Sequence, residues 1–236
     1  MKFPKPLIEG TLIKRYKRFL ADVRLKNGEI VVAHCANSGS MLSVDTPGAD
    51  VWLSESDKPE RKLRYTWEMI RIGETLVGIN TQHPNRLVEE AVRDGTIREL
   101  SGYAVLRREV RYGKDSRIDL LLEDPKRPPC YVEVKNVTMK RDLAPKAPVE
   151  FPDAVTTRGA KHLAELSRVA QKGQRAVMVF LVQREDGKTF TPAADIDPTY
   201  AKALQAATAA GVEVLCYGCR LSPAGIRVAK PVSMRL

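Results

Sequence analysis

Ser116-Arg117-Ile118-Asp119-Leu120-Leu121-Leu122, followed after a turn by Cys130-Tyr131-Val132-Glu133-Val134-Lys135, reads as two adjacent strands. Successive side chains on a strand point to opposite faces, so Glu133 and Lys135 share one face. Their neighbours are aliphatic: Leu120, Leu121, Leu122, Val132 and Val134 belong at the centre of a sheet. Such a centre does not hold an aspartate, a glutamate and a lysine without a reason, because buried charge is costly unless it is paired or holds a metal. Two carboxylates and a lysine at a strand edge can hold a divalent cation beside a phosphate, which is what phosphodiester hydrolysis requires. Asp119, Glu133 and Lys135 are therefore the candidate catalytic group, with Asp119 and Glu133 as metal ligands and Mg²⁺ or Mn²⁺ as the matching cation. A solvated Glu–Lys pair is the simpler alternative.

Outward from that pair, the first eighty residues read as short strands over 7–16, 19–25, 30–35, 50–54, 65–72 and 75–79. Turn signals separate them, among them Lys26-Asn27-Gly28-Glu29, Asn37-Ser38-Gly39 and Thr46-Pro47-Gly48. Five or six strands without a helix suit an OB-like barrel over residues 1–80. In the Asn37–Met41 turn, Gly39 is expected to supply a positive φ. From residue 81 the pattern changes. Asn85 reads as an N-cap before a helix ending at Gly95. Strands over 103–112, 116–122 and 130–138 follow, then a proline- and charge-rich loop from 140 to 152. A helix over 154–171, a strand over 176–183, a helix over 197–210 and a strand over 212–217 complete an α/β domain spanning 81–236.

The chain has 236 residues, 43% of them hydrophobic and 29% charged, with a net charge of +10 that favours a polyanionic partner. Counting Lys and Arg against Asp and Glu gives 13 less 10 before residue 81 and 26 less 19 after it, so neither half is a polybasic arm. Binding then depends on clusters. Lys14, Arg15, Lys17 and Arg18 are interleaved with Tyr16 and Phe19, and Arg61, Lys62 and Arg64 form a second patch. On a barrel of this type, such groups hold a nucleic-acid strand by phosphate contacts and stacking. On the helix near 154–171, Arg158, Lys161, His162 and Glu165 recur at i, i+3, i+4 and i+7, which sets cations beside the carboxylate strands and lets Lys161 pair with Glu165. No base-reading motif is present, so DNA binding without sequence preference is expected, with RNA as an alternative polyanion.

The pattern also excludes several classes. No Gly-x-Gly-x-x-Gly or P-loop sequence occurs, so no nucleotide cofactor is expected, and there is no Gly-x-Ser-x-Gly elbow. No apolar run is long enough to span a bilayer, and Met1-Lys2-Phe3-Pro4-Lys5-Pro6 lacks the apolar core of a signal peptide. A cytoplasmic protein with reduced cysteines is expected, without a membrane partner. Cys216-Tyr217-Gly218-Cys219 has half the spacing of a zinc site but no second pair, and a structural role is the expectation.

The chain resembles the bacterial sugar fermentation stimulation protein A family. The resemblance rests on residues 12–22 (Leu-Ile-Lys-Arg-Tyr-Lys-Arg-Phe-Leu-Ala-Asp), His34-Cys35-x-Asn37-x-Gly39-x-Met41, Asn85-Arg86-Leu87 and Glu90-Ala91. It continues through Leu100-Ser101-Gly102-Tyr103, Ser116–Asp119, Tyr131-x-Glu133-Val134-Lys135, Phe151–Thr156, Arg158-Gly159 and Lys161-His162-Leu163. It implies an OB-type domain followed by a PD-(D/E)xK nuclease-like domain, nonspecific DNA binding, and an association with the regulation of sugar, notably maltose, utilisation. In that pattern Asp119 and Glu133 are metal ligands and Lys135 acts on the attacked phosphate or its water. Glu90, rather than the adjacent Glu89, is the outer acidic member, and Arg158, Lys161 and His162 lie along the phosphate path. The Cys216/Cys219 pair departs from the family pattern, and the 140–150 loop looks longer than usual. Three functions are compatible with these residues: a DNA-binding protein carrying an accessory nuclease-like site, an active Mg- or Mn-dependent nuclease, and a binding module whose charges only stabilise the fold.

Overall fold

The computed structural model describes residues 1–112 and 116–236. β1 (Ile8–Tyr16), β2 (Leu20–Leu25), β3 (Ile30–Cys35), β4 (Asp50–Glu55), β5 (Tyr65–Ile72) and β6 (Thr75–Gly78) make one sheet in the order β3-β2-β1-β4-β5-β6. A parallel pairing of β3 with β5 closes the first five strands into a barrel. The alternation written into the strands explains the closure. Ala21, Val23 and Leu25 on β2 and Val31, Ala33 and Cys35 on β3 all point inward and are buried with Leu12 and Trp67. The OB-like reading is correct, with β6 appended to β5 as a hairpin.

The second half contains α1 (Pro84–Arg93), a 3₁₀ turn (Arg98–Leu100), β7 (Val105–Tyr112), β8 (Ser116–Asp124), β9 (Arg127–Val137), β10 (Val149–Phe151), α2 (Thr157–Gln171), β11 (Arg175–Val182), β12 (Thr189–Pro192), α3 (Pro198–Ala209), β13 (Glu213–Ser222), β14 (Gly225–Pro231) and β15 (Ser233–Met234). Its main sheet runs β14-β13-β11-β9-β8-β7, with β9, β11 and β13 parallel at the centre and antiparallel strands at both edges. β11 shows why this is an α/β layer. Val177, Val179 and Leu181 enter the core under α1, whereas Met178, Phe180 and Val182 enter the core under α2 and α3. A strand covered on both faces reads as an unbroken apolar run. The short parallel sheet β10-β12-β15 and the edge strand β14 lack that signature, and sequence reading missed them.

Three local expectations are corrected. Asn85 is not the N-cap: Pro84 occupies the first helical turn and His83 caps without a side-chain bond. Proline at that position needs no N–H partner, which moves the start back and leaves the Asn85 amide free for another task. Helix α2 begins at Thr157 rather than 154, because the Thr156 side chain accepts from Gly159 N at 3.0 Å. Glu165 pairs with Arg168 at 2.8 Å and not with Lys161.

The cysteine reading stands: all four are free and buried, and Cys216 and Cys219 lie in the two different cores. The barrel is joined to the α/β layer by shared core. Trp52 of β4 and Met69 of β5 pack in the same cluster as Leu87, Val88 and Leu120. Beside them the buried Glu68 carboxylate accepts from Ser54 at 2.6 Å and Asn80 at 2.8 Å, and contacts His83 Nε2 at 2.7 Å. No helix among the described residues is long and apolar enough to cross a membrane.

Candidate functional site

Strands β8 and β9 pair as far as Leu120↔Val132 and then separate toward the site. Past that point the Asp119 carboxylate takes the place of a strand partner: its Oδ2 accepts from the Val134 N–H at 2.7 Å. Its Oδ1 accepts from the Asn85 amide at 2.8 Å, so the first turn of α1 orients it. The register of β7 and β8 sets Glu109 opposite Asp119, between the pairs Arg108↔Leu120 and Val110↔Ile118. Glu109 has a φ of +54°, the left-handed region that costs a residue with a side chain about 1–3 kcal/mol. The Asn85 amide also lies 3.4 Å from Glu109 Oε1.

Glu133, on β9, is 2% exposed. Its Oε1 accepts from Lys135 Nζ at 2.6 Å and contacts His162 Nδ1 directly. Lys135 Nζ sits 3.4 Å from the same ring nitrogen. Arg158 Nε, one turn earlier on α2, donates to His162 Nε2 at 3.3 Å, which leaves Nδ1 as the proton-bearing side of the ring facing Glu133. The second Glu133 oxygen, Oε2, is buried and has no partner among the described residues.

The two acids behave oppositely. Burial, with the charge of Glu133 added to it, pushes Asp119 up to about 6. Burial also pushes Glu133 up, but the His162 and Lys135 contacts outweigh it and hold that carboxyl below its ordinary range.

These groups open into a cavity of about 460 Å³. Asp119, Glu133, Lys135, Arg158 and His162 all line it, and so do Asn85 and Glu109. Its opposite wall comes from the barrel, through Asn37, Ser38 and Gly39. That wall is clamped to the α/β half by Asp153, whose carboxylate accepts from Met41 N at 2.8 Å and whose carbonyl accepts from Ser40 Oγ at 2.5 Å. Gly39 is needed for this approach and not for a positive φ: a Cβ there would stand 2.6 Å from Asp153 Oδ2.

Other expected site residues lie elsewhere. Glu90 is removed from the cavity: it pairs with the Met1 amino group at 2.6 Å and with Arg86 at 2.9 Å. Glu89 pairs with Arg93 and Arg108 instead. Lys161 is exposed on α2 and does not line the cavity. Arg15 spends its guanidinium on four backbone carbonyls, those of Arg18, Asn37, Gly39 and Ser40, at 2.9–3.1 Å. It therefore props the Asn37–Ser40 wall. Lys14 faces Asp22 at 3.7 Å, Arg64 pairs with Glu55, and Arg61 donates to Thr66 at 2.7 Å. Lys17, Arg18 and Lys62 are exposed, the first two at φ +47° and +64° in the β1–β2 turn.

Among the described residues, no three His, Cys, Asp or Glu side chains form a cation cage by themselves. The site nonetheless fits a divalent cation of the Mg²⁺ type, which uses one or two carboxylates and completes its shell with water and phosphate oxygen. The unpartnered Glu133 Oε2 and the raised Asp119 are the two features that a cation would relieve.

An OB-type barrel closed against an α/β layer, with two acids and a lysine gathered where strands diverge, defines the class of protein. Family models agree in both halves: residues 13–79 match "SfsA N-terminal OB domain" and residues 82–225 match "Sugar fermentation stimulation protein RE domain". The chain belongs to the sugar fermentation stimulation protein family. A sugar fermentation stimulation protein homolog of Rhodospirillum rubrum is 62% identical over 230 residues, covering 94% of each chain. One from Paramagnetospirillum magneticum is 58% identical over 100% of this chain and 98% of its own. The solved structure of Pyrococcus furiosus SfsA, described as a complex with Ca²⁺, is 27% identical and superposes with a TM-score of 0.88 over 100% of this chain and 98% of that one.

Proposed function

We propose that this protein binds DNA without reading its sequence and that the Asp119–Glu133–Lys135 cavity hydrolyses phosphodiester bonds with Mg²⁺ or Mn²⁺. The observation that carries this reading is the buried Glu133 Oε2, which has no partner among the described residues, beside an Asp119 whose pKa is raised to about 6. Leaving a buried carboxylate oxygen unsatisfied costs stability, and a site that retains one has a use for it. Asp119 and Glu133 would hold the cation, and the Ca²⁺ described for the Pyrococcus furiosus relative is in keeping with that. Once bound, the cation would polarise the phosphoryl oxygen and lower the pKa of a bound water.

The chain's own residues do the rest. Lys135, tethered to Glu133 and 15% exposed, can present its ammonium to a non-bridging phosphate oxygen. Arg158 at the mouth orients the flanking phosphate, and His162 fixes the Glu133 carboxylate from behind. The Asn37–Gly39 wall bounds the cavity on the side of the barrel, so a scissile phosphate would be held between the two halves. Exposed Lys17, Arg18 and Lys62 supply phosphate contacts on the barrel. The four free, buried cysteines suit a reducing cytoplasm. Any influence on sugar utilisation would then act through DNA contact without an operator sequence.

A second reading has its own observation. Lys135 already neutralises Glu133 and His162 holds it by a hydrogen bond, so the cluster is balanced without a cation and could serve binding alone. One assay separates the two: single-stranded, duplex and branched DNA and RNA are incubated with Mg²⁺, Mn²⁺ or chelator, with Lys135→Ala alongside. Cation-dependent cleavage lost in Lys135→Ala is expected. Absence of cleavage on every substrate, or cleavage that survives the substitution, would overturn the hydrolytic reading. Mg²⁺ or Mn²⁺ titration checks the site directly, and Asp119→Ala with Glu133→Ala should abolish binding.

A further inference from the structure

Glu109, Asp119, Glu133, Glu150 and Asp153 are the acids among the described residues that line the cavity. Four of them are committed. Asp119 accepts from Val134 N and the Asn85 amide, and Glu133 is held by Lys135 and His162. Glu150 pairs with Arg141, and Asp153 clamps the barrel through Met41 N. Glu109 is exposed, and no cation among the described residues pairs with it. Its one side-chain contact there is the 3.4 Å approach of the Asn85 amide, which is already spent on Asp119 at 2.8 Å.

Both strands that carry Glu109 and Asp119 change face at these residues. On β8, Ile118 enters the core under α2 and α3, yet Leu120, two residues on, enters the core under α1. Residues two apart on a regular strand share a face, so β8 turns over at Asp119. On β7, Val110 packs on the α2 side, whereas Leu106, four residues earlier, packs on the α1 side. The φ of +54° at Glu109 is where that pleat breaks. The ladder keeps its register across the step, from Arg108↔Leu120 to Val110↔Ile118, so the two breaks stand opposite each other. Glycine takes such a φ without strain; glutamate in its place brings a carboxylate to the cavity beside Asp119.

We propose that Glu109 is a positioning residue of the cation site, its carboxylate accepting from water of the cation's shell on the Asp119 side. The proposal rests on the cation reading of the Asp119–Glu133 cavity, which the unpartnered Glu133 Oε2 supports independently of Glu109. Contact is through water because the acids among the described residues do not converge into a cage, and a Mg²⁺-type ion keeps several of its waters. Outer partners of this kind orient the ligands of a metal site and tune its affinity.

The test is Mn²⁺ titration of the full chain by calorimetry, on wild type, Glu109→Gln, Glu109→Gly and, as a control, Glu150→Gln. Both Glu109 variants should bind Mn²⁺ about 10–100-fold more weakly, the loss expected when an outer partner of a metal site is removed. Glu150→Gln removes the same charge from the same wall, leaves Arg141 paired with Asp195, and should lose far less. In chelator, Glu109→Gly should melt no lower than wild type, because glycine relieves the φ, so its weaker binding is not unfolding. Unchanged affinity in Glu109→Gln, or an equal loss in Glu150→Gln, would overturn the role. So would a Glu109→Gly variant that melts well below wild type, since the glutamate would then serve the strand alone. A wild type that takes up no Mn²⁺ would sink the cation site and Glu109 with it. Affinity lost in the Glu109 variants of a protein that cleaves nothing would support Glu109 while the hydrolytic reading falls.

Discussion

Replacing Asp119 by Asn should stabilise the cation-free protein at neutral pH while removing its capacity to bind a cation. Asp119 titrates at about 6 instead of 3.8, because burial and the Glu133 charge both oppose its ionisation. Between those values the folded state holds a proton that the unfolded chain has released. Stability therefore falls as pH rises through that window, and the deficit is complete above about 6. At ~1.36 kcal/mol per pKa unit the deficit is about 3 kcal/mol. Asparagine carries no charge, keeps an oxygen for the Val134 N–H, and can face the Asn85 amide once that amide rotates. In chelator, urea denaturation of Asp119→Asn at pH 8 should show a gain approaching ~3 kcal/mol that vanishes near pH 4. Added Mn²⁺ should reverse the order, since only the wild type gains from binding. A variant no more stable than wild type at pH 8, or a gain that persists at pH 4, would refute the electrostatic account of the site.

Glu90→Gln should leave cation affinity and any cleavage unchanged, because its carboxylate serves the amino terminus and Arg86; loss of either property would return Glu90 to the site. Gly39→Ala should destabilise by about 1–3 kcal/mol in urea denaturation, since its Cβ would sit 2.6 Å from Asp153 Oδ2 and loosen the wall. Asp153→Ala combined with it should show strong non-additivity. Burial pushes Glu68 up, but His83, Ser54 and Asn80 outweigh it and lower its pKa below the ordinary 4.5. The stability contributed by ionised Glu68 is thus present above that value and lost as pH falls through its folded range. Glu68→Gln should cost about 1–3 kcal/mol at pH 7 and progressively less in acid, measured by the same denaturation.

The acids and lysine were legible because their chemistry is local. Glu133 and Lys135 are two apart on one strand, and Asp119 lies on the strand paired with it. The barrel was legible for the same reason, since inward residues alternate within each short strand. What escaped depends on long-range geometry. Asn85 carried the signal of a cap, and only the approach of α1 to β8 turns its amide onto Asp119. The same approach angle sends Glu90 toward the amino terminus and away from the cavity. Glu109 was invisible because its role follows from register and a left-handed φ, neither of which a strand pattern announces. Arg15 has the sequence pattern of a surface cation, yet four carbonyls brought in by the fold surround its guanidinium. The far wall arises from contacts such as Met41 with Asp153, 112 positions apart, which no short motif encodes.

That far wall changes how the protein should be dissected in the laboratory. Trp52 and Met69 bury their side chains among residues of the α/β half, each contributing ~1.5–3 kcal/mol. A fragment beginning near residue 81 would expose the part of the shared core that Trp52 and Met69 cover and leave the polar cavity open on one side. Its failure to bind or cut would report a broken fold, not a missing DNA-binding module. Point substitutions on the barrel surface, away from Trp52, Met69 and the Asn37–Met41 segment, are the cleaner way to ask what the barrel does.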